Sequence, residues 1–166
     1  MLIRSPRRQF LDRSGQSIVE IGLVTPFLLI ALYVPVDFGI AYYTAHLTQN
    51  AVREAARIGV STKDPFDNPA ANAVANEAMA NIPLRLKSVT VTVTYFATGT
   101  CMQNVSVTAQ GSYNYFFYQI LRLVGATVPD TVLISRTSRM RYDFQPFTYS
   151  NPCTTQLFPP AQVTRA

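Results

Sequence analysis

The chain has 166 residues, 14% of them charged and 48% hydrophobic, and a net charge of +5. At this length one folded domain is expected beside any membrane segment. The basic balance gives no reason to expect a nucleic-acid partner. Residues 1–15 hold four Arg against one Asp, which is +3 of the total, and the remaining ten Lys and Arg nearly offset eight Asp and Glu.

Residues 1–15 read as a basic cytoplasmic leader, with Arg4, Arg7, Arg8 and Arg13 against Asp12. The next stretch, Gly15 to Ala45, is GQSIVEIGLVTPFLLIALYVPVDFGIAYYTA and has no charge between Glu20 and Asp37. A membrane span needs about 20 mostly apolar residues, and this stretch supplies them. It is apolar on all faces from Ile21 to Val36, unlike the single stripe of a water-soluble helix. Pro26 and Pro35 are tolerated inside a membrane as kinks. The Arg-rich flank predicts a cytoplasmic N-terminus, with everything after the span on the outer side. A cleaved secretory signal fits poorly. The apolar core exceeds the usual length of about 7–15 residues, and Tyr43-Thr44-Ala45 puts a bulky Tyr where a cleavage site needs a small residue.

The helix is predicted to continue past the membrane, from about Ser17 to about Gly59, roughly 60 Å at 1.5 Å per residue. In HLTQNAVREAARIGV, Leu47, Ala51, Ala55 and Ile58 mark one apolar face, and Arg57 stands three residues after Glu54. The small residues Ala51 and Ala55 suit close approach of another helix, or packing on the protein's own domain.

Gly15, then Gln16, then Glu20 as the fifth residue from Gln16 resembles the leader junction of type IV pilin-like proteins. The longer string, from Gly15 to Val60, is similar to the TadE-like family of pilus-assembly proteins. The features that carry the likeness are Gly15 to Ile21, Pro26, Asp37-Phe38-Gly39, and the helix Ala51 to Arg57, in that order. The resemblance implies a structural, pilin-like membrane protein of a tight-adherence (Flp, type IVc) pilus: a minor pilin or pseudopilin. It implies processing between Gly15 and Gln16 by a prepilin peptidase, and partners among other pilins and pilus-assembly membrane proteins in the lipid bilayer. The location implied is the inner (cytoplasmic) membrane, single-pass, with a periplasmic C-terminal domain that can enter a surface pilus.

Two acids in the apolar stretch have two readings each. Glu20 either complements the helix dipole or, as the resemblance implies, pairs with the new amino group of Gln16 on a neighbouring subunit. The second is preferred, because an acid inside a span is costly unless it has a use. Asp37 is either an interfacial residue reaching for water or a polar contact between helices.

Beyond the helix, Ser61 to Asn68 reads as a loop. Pro69 to Asn81 reads as a helix, with Asn68 as its cap. Ser88 to Phe96, SVTVTVTYF, alternates Val and Thr as a half-buried strand does, and Asn104 to Tyr113 alternates likewise, so the two are expected to form an antiparallel hairpin. Tyr115 to Val124 is an apolar helical segment expected to cover the sheet. Thr131 to Phe144 is a third strand, with Arg139 and Arg141 on one face and Arg136 on the other, where they protect a solvated edge. Residues 154–166 are expected to be an irregular tail.

The fold class is therefore α+β: a long transmembrane helix over residues 16–60, continuing into a small extracytoplasmic domain over residues 61–153 with a short antiparallel sheet and covering helices. Cys101 and Cys153 both fall on the outer side, where a disulfide persists, and a bridge between them would add about 4 kcal/mol in the chain-entropy model. No enzyme is expected. His46 is the single His, and there is neither a phosphate loop nor a metal-ligand cluster. Catalytic residues, metal, cofactors, nucleic acid and small-molecule substrates are all absent from the expected account. The alternative function is a permanently anchored, single-pass extracytoplasmic binding module that keeps residues 1–15.

Overall fold

The computed structural model describes residues 12–61, 68–97, 103–118, 125, 127, 129, 131–142 and 160–166. Helix α1 runs over Asp12–Ser61 and helix α2 over Asn68–Asn81. Four strands follow: β1 at Leu86–Ala97, β2 at Gln103–Asn114, β3 at Thr131–Tyr142 and β4 at Ala161–Arg165. They make one antiparallel sheet in the order β3-β2-β1-β4. The α+β class and the hairpin are as the sequence predicts.

Alternation places the core. Val89, Val91, Val93 and Tyr95 of β1 face the same side as Val105, Val107 and Ala109 of β2, and all are buried. Thr90, Thr92 and Thr94 take the other face. The buried side is covered by the C-terminal half of α1 and by α2. From α1 come Ala41, Ala45, Ala51, Val52, Ala55 and Ala56; from α2 come Ala71, Val74, Ala75, Ala78 and Met79. Both sets recur at helical spacings of three and four, so each helix turns one narrow stripe inward.

The β1 alternation changes phase at one point. Lys87 pairs with Ser112, but the next pair is Thr90 with Gln110, so Ser88 and Val89 together oppose Gly111. This β-bulge adds one residue and lets both Leu86 and Val89 face the core despite their odd spacing. Ser88 takes the left-handed φ of +49° that the bulge requires. Opposite it, a Cβ on Gly111 would lie 2.6 Å from Leu86 Cγ, so the backbone approach there needs glycine.

The irregular tail predicted for residues 154–166 is corrected in part. Ala161–Arg165 pairs with Val89–Val93 as β4 and closes the second edge of β1. Five residues after Pro159-Pro160 carry too little periodicity to announce a strand, and the edge they complete lies about seventy residues earlier in the chain. Arg165 then donates from Nη1 to the Met79 carbonyl (3.4 Å) and from Nη2 to the Pro83 carbonyl (3.1 Å). A cation thus meets one carbonyl of the last turn of α2 and one just beyond it, which also accept the backbone N–H groups of Ile82 and Leu86. Several expectations lie outside the described residues: Cys101 and Cys153, the loop over residues 62–67, and residues 119–124 of the apolar segment after β2.

Candidate functional site

Helix α1 changes character at Asp37. Every residue from Gly15 to Val36 is exposed except the half-buried Val34. Those residues rise about 33 Å, close to the hydrocarbon thickness of a bilayer. Ile18, Leu23, Phe27, Leu28 and Leu32 stand bare around the helix. One N-terminal helix is therefore long and apolar enough to cross a membrane. From Asp37 onward one stripe is covered: Asp37, Ala41, Thr44, Thr48, Ala55 and Gly59 are among its members.

Gly15, Gln16 and Glu20 lie on the bare half and are exposed. Gln16 and Glu20 are one turn apart on the same helical face. Nothing comes within 4 Å of a Cβ built on Gly15. Ala51 and Ala55 suit close approach of either another helix or the protein's own domain. They are 4% and 0% exposed, inside the same core as Ala75 and Val91. Of the two partners, the protein's own α2 and sheet occupy this face. Its residues are small because a helix must lie close over a sheet here. At Gly59 a Cβ would already sit 3.2 Å from Val105 Cγ2, and the Tyr95 hydroxyl donates to the Gly59 carbonyl at 3.5 Å.

Asp37 is the junction. It is 5% exposed, and its carboxylate accepts the backbone N–H of Phe116 (3.2 Å) and of Phe117 (2.7 Å). Phe116 begins a helical turn after β2. The first amides of a helix have no partner within it, and Tyr115 before them offers no short capping side chain. Asp37 supplies the cap from 79 residues away in the chain. Of the two sequence readings of Asp37, the polar contact between helices is the nearer, but it does not identify the turn after β2 as the partner. The one available sign was an apolar helix start without a local cap.

Aromatic rings close around this tie. Tyr33 stacks on Phe117 at 5.9 Å, Phe38 tilts against Tyr115 at 5.4 Å and meets Tyr118 edge-on at 6.4 Å, and Tyr115 meets Tyr113 and Tyr118 edge-on. Such geometries suit the ring quadrupole. Tyr113 is held above its usual pKa of 10.0, first by burial and then by the charge of Asp37, with Arg85 acting in the opposite direction. Tyr115 is raised too, first by burial, then by Tyr118 and Asp37. Two buried threonines of the covered stripe satisfy themselves on the helix: Thr44 donates to the Ile40 carbonyl (2.8 Å) and Thr48 to the Thr44 carbonyl (2.9 Å). His46 packs edge-on against Tyr42 at 4.3 Å on the exposed side.

Residues 15–57 match the family model described as TadE-like protein. The likeness read from the sequence is borne out over that segment, which begins at Gly15 and holds the bare half of α1, Asp37 and most of the covered stripe. That family implies involvement in assembly of the Tad pilus. No match was found among curated proteins or among solved structures.

Proposed function

We propose that this chain, TadE-like over residues 15–57, is a structural pilin-like protein of the tight-adherence pilus, a minor pilin or pseudopilin with no catalytic step of its own. The observation that carries the reading is the coincidence of the family match, starting at Gly15, with a helix left bare from that residue to Val36. The leader ahead of it is basic, as a cytoplasmic N-terminus requires. The domain is then periplasmic and the helix crosses the inner membrane.

In this reading a membrane prepilin peptidase cuts between Gly15 and Gln16. The bond lies within the first turns of α1, where helix ends fray most readily. The cut leaves a free amino group at Gln16, one turn from Glu20. In lipid that positive charge is costly alone, so it pairs with the Glu20 carboxylate of a neighbouring subunit. Lateral association falls to the bare half of α1, because Ala51 and Ala55 are occupied within the domain. Cys101 and Cys153 pair in the oxidising periplasm, which intact mass with and without reductant checks.

The test is the N-terminus and intact mass of the protein taken from native membranes. A start at Gln16 that disappears when the prepilin peptidase is disabled is the expected result. A start at Met1 would replace the pilin-like role with a permanently anchored binding module. A start after Ala45 would overturn both, and it would also cut α1 inside the domain core, where Ala45 is buried.

A further inference from the structure

The large apolar residues that the domain leaves exposed are gathered at one end. Among the described residues outside α1 these are Leu84 (79% exposed), Phe116 (66%) and Leu133 (70%). Strand pairing fixes their level. Leu133 pairs with Ser112, which pairs with Lys87, so Leu133 and Lys87 lie in one row across the sheet. Leu84 precedes that row by three residues, and Phe116 follows Tyr113, the partner of Leu86. The opposite end of the sheet holds Tyr95 and Val105, close to Gly59 at the far end of α1.

The end carrying the exposed residues is the one next to the bare helix. Asp37 holds the Phe116 and Phe117 amides one residue beyond Val36, and Phe117 stacks on Tyr33, itself within the bare stretch. Whatever depth Val36 takes in a bilayer, Phe116 lies within about one helical turn of it. Arg85 and Lys87 flank this end and are exposed.

We propose that this end of the domain rests on the bilayer surface as a second membrane contact. Leu84, Phe116 and Leu133 enter the headgroup region, and Arg85 and Lys87 meet anionic lipid phosphates. The inference rests on the reading of residues 15–36 as a span. A lipid occupant is favoured over a second copy of the chain because the tie at Asp37 brings this surface to the lipid whenever the span is inserted. Exposed apolar side chains with basic neighbours suit a bilayer interface, where buried apolar area and attraction to anionic lipid act together. The contact fixes the height and tilt of the domain over the membrane, and it must be broken when the helix is extracted.

The chain contains no Trp, so single Trp reporters can be placed without background. The full chain would be reconstituted in phosphatidylcholine–phosphatidylglycerol vesicles containing acyl-brominated lipid. Five variants would be compared: Leu84→Trp, Phe116→Trp and Leu133→Trp at the proposed contact, Phe27→Trp in the bare helix, and Phe96→Trp at the far end. Strong quenching is expected for Phe27→Trp, clear quenching with a blue shift for the three contact reporters, and none for Phe96→Trp. Combining Arg85→Gln with Lys87→Gln lowers the docked-to-free ratio about fivefold per cation, only when phosphatidylglycerol is present. Quenching of Phe27→Trp with none at the three contact reporters would overturn the proposal and leave the span intact. No quenching of Phe27→Trp would overturn the span reading first. A blue shift of the contact reporters that depends on protein concentration, without bromine quenching, would replace lipid by a second copy.

Discussion

The two halves of α1 are one continuous helix with opposite demands on side-chain size. Residues 15–36 carry Ile, Leu, Phe and Val on every side and bury almost none of them in the protein. After Asp37 the buried stripe is Ala, Thr and Gly, with Val52 as its one fully buried large residue. Lipid tails adapt to bulky side chains, whereas a β-sheet lying close over a helix does not. The small-residue stripe, which in lipid would suit helix pairing, here brings the domain's own sheet within reach. The lesson is that Ala spacing on a membrane helix identifies a close approach but not the partner.

The same substitution made in each half breaks this comparison most sharply. Ala55→Leu forces three extra heavy atoms into the core and is expected to destabilise the domain by about 3 kcal/mol. Ala31→Leu, in the exposed half, is expected to change it by no more than about 0.5 kcal/mol. Denaturant unfolding of the detergent-solubilised protein, followed by near-ultraviolet circular dichroism, reads both. Equal effects would mean that the two halves are not packed differently.

Asp37 is where the two regimes meet, and its loss comes next. Asp37→Ala leaves the Phe116 and Phe117 amides without their acceptor, an expected cost of about 2 kcal/mol. Amide hydrogen exchange should quicken first at Phe117, whose bond is the shorter and more buried one. Asp37→Asn keeps one carbonyl oxygen and should retain part of the protection. Arg165→Ala, at the β4 edge of the sheet, should cost about 1 kcal/mol and loosen the end of α2 without touching the Asp37 tie. If Arg165→Ala also released Phe117, the junction and the sheet edge would be one cooperative unit.

The smallest effect is confined to high pH. Tyr113 and Tyr115 have folded pKa values above the ordinary 10.0 because burial disfavours the phenolate. The folded state therefore holds these protons more tightly than the unfolded chain. Their contribution to stability is complete below pH 10 and is lost as pH rises through the folded values. Phenolate absorbance should show Tyr113 and Tyr115 titrating late in the folded protein, and Asp37→Asn should bring both closer to the ordinary value by removing a nearby negative charge.

Much of the fold was legible because it depends on local periodicity. The charge-free run between Glu20 and Asp37, the Val–Thr alternation of Ser88 to Phe96 and the Ala spacing before Gly59 each specify an element within a few residues. Helix α2 was equally plain from Asn68-Pro69 and the Ala-rich stretch behind it. The likeness over the first helix was readable as well, since Gly15 to Ile21, Pro26 and Asp37-Phe38-Gly39 stand in linear order within the matched residues. What sequence alone determined was therefore the elements, their inward faces and the likeness over the first helix.

Tertiary structure decided who met those faces. It gave Ala51 and Ala55 to the domain's own core. It turned Asp37 into a cap for amides that follow β2. It brought Ala161–Arg165 back to the open edge of β1. Each of these joins residues far apart in the chain, and periodicity carries no information about partners at that distance. A buried carboxylate, an uncapped helix start and an unpaired strand edge each demand satisfaction, but only the folded chain shows which residue provides it.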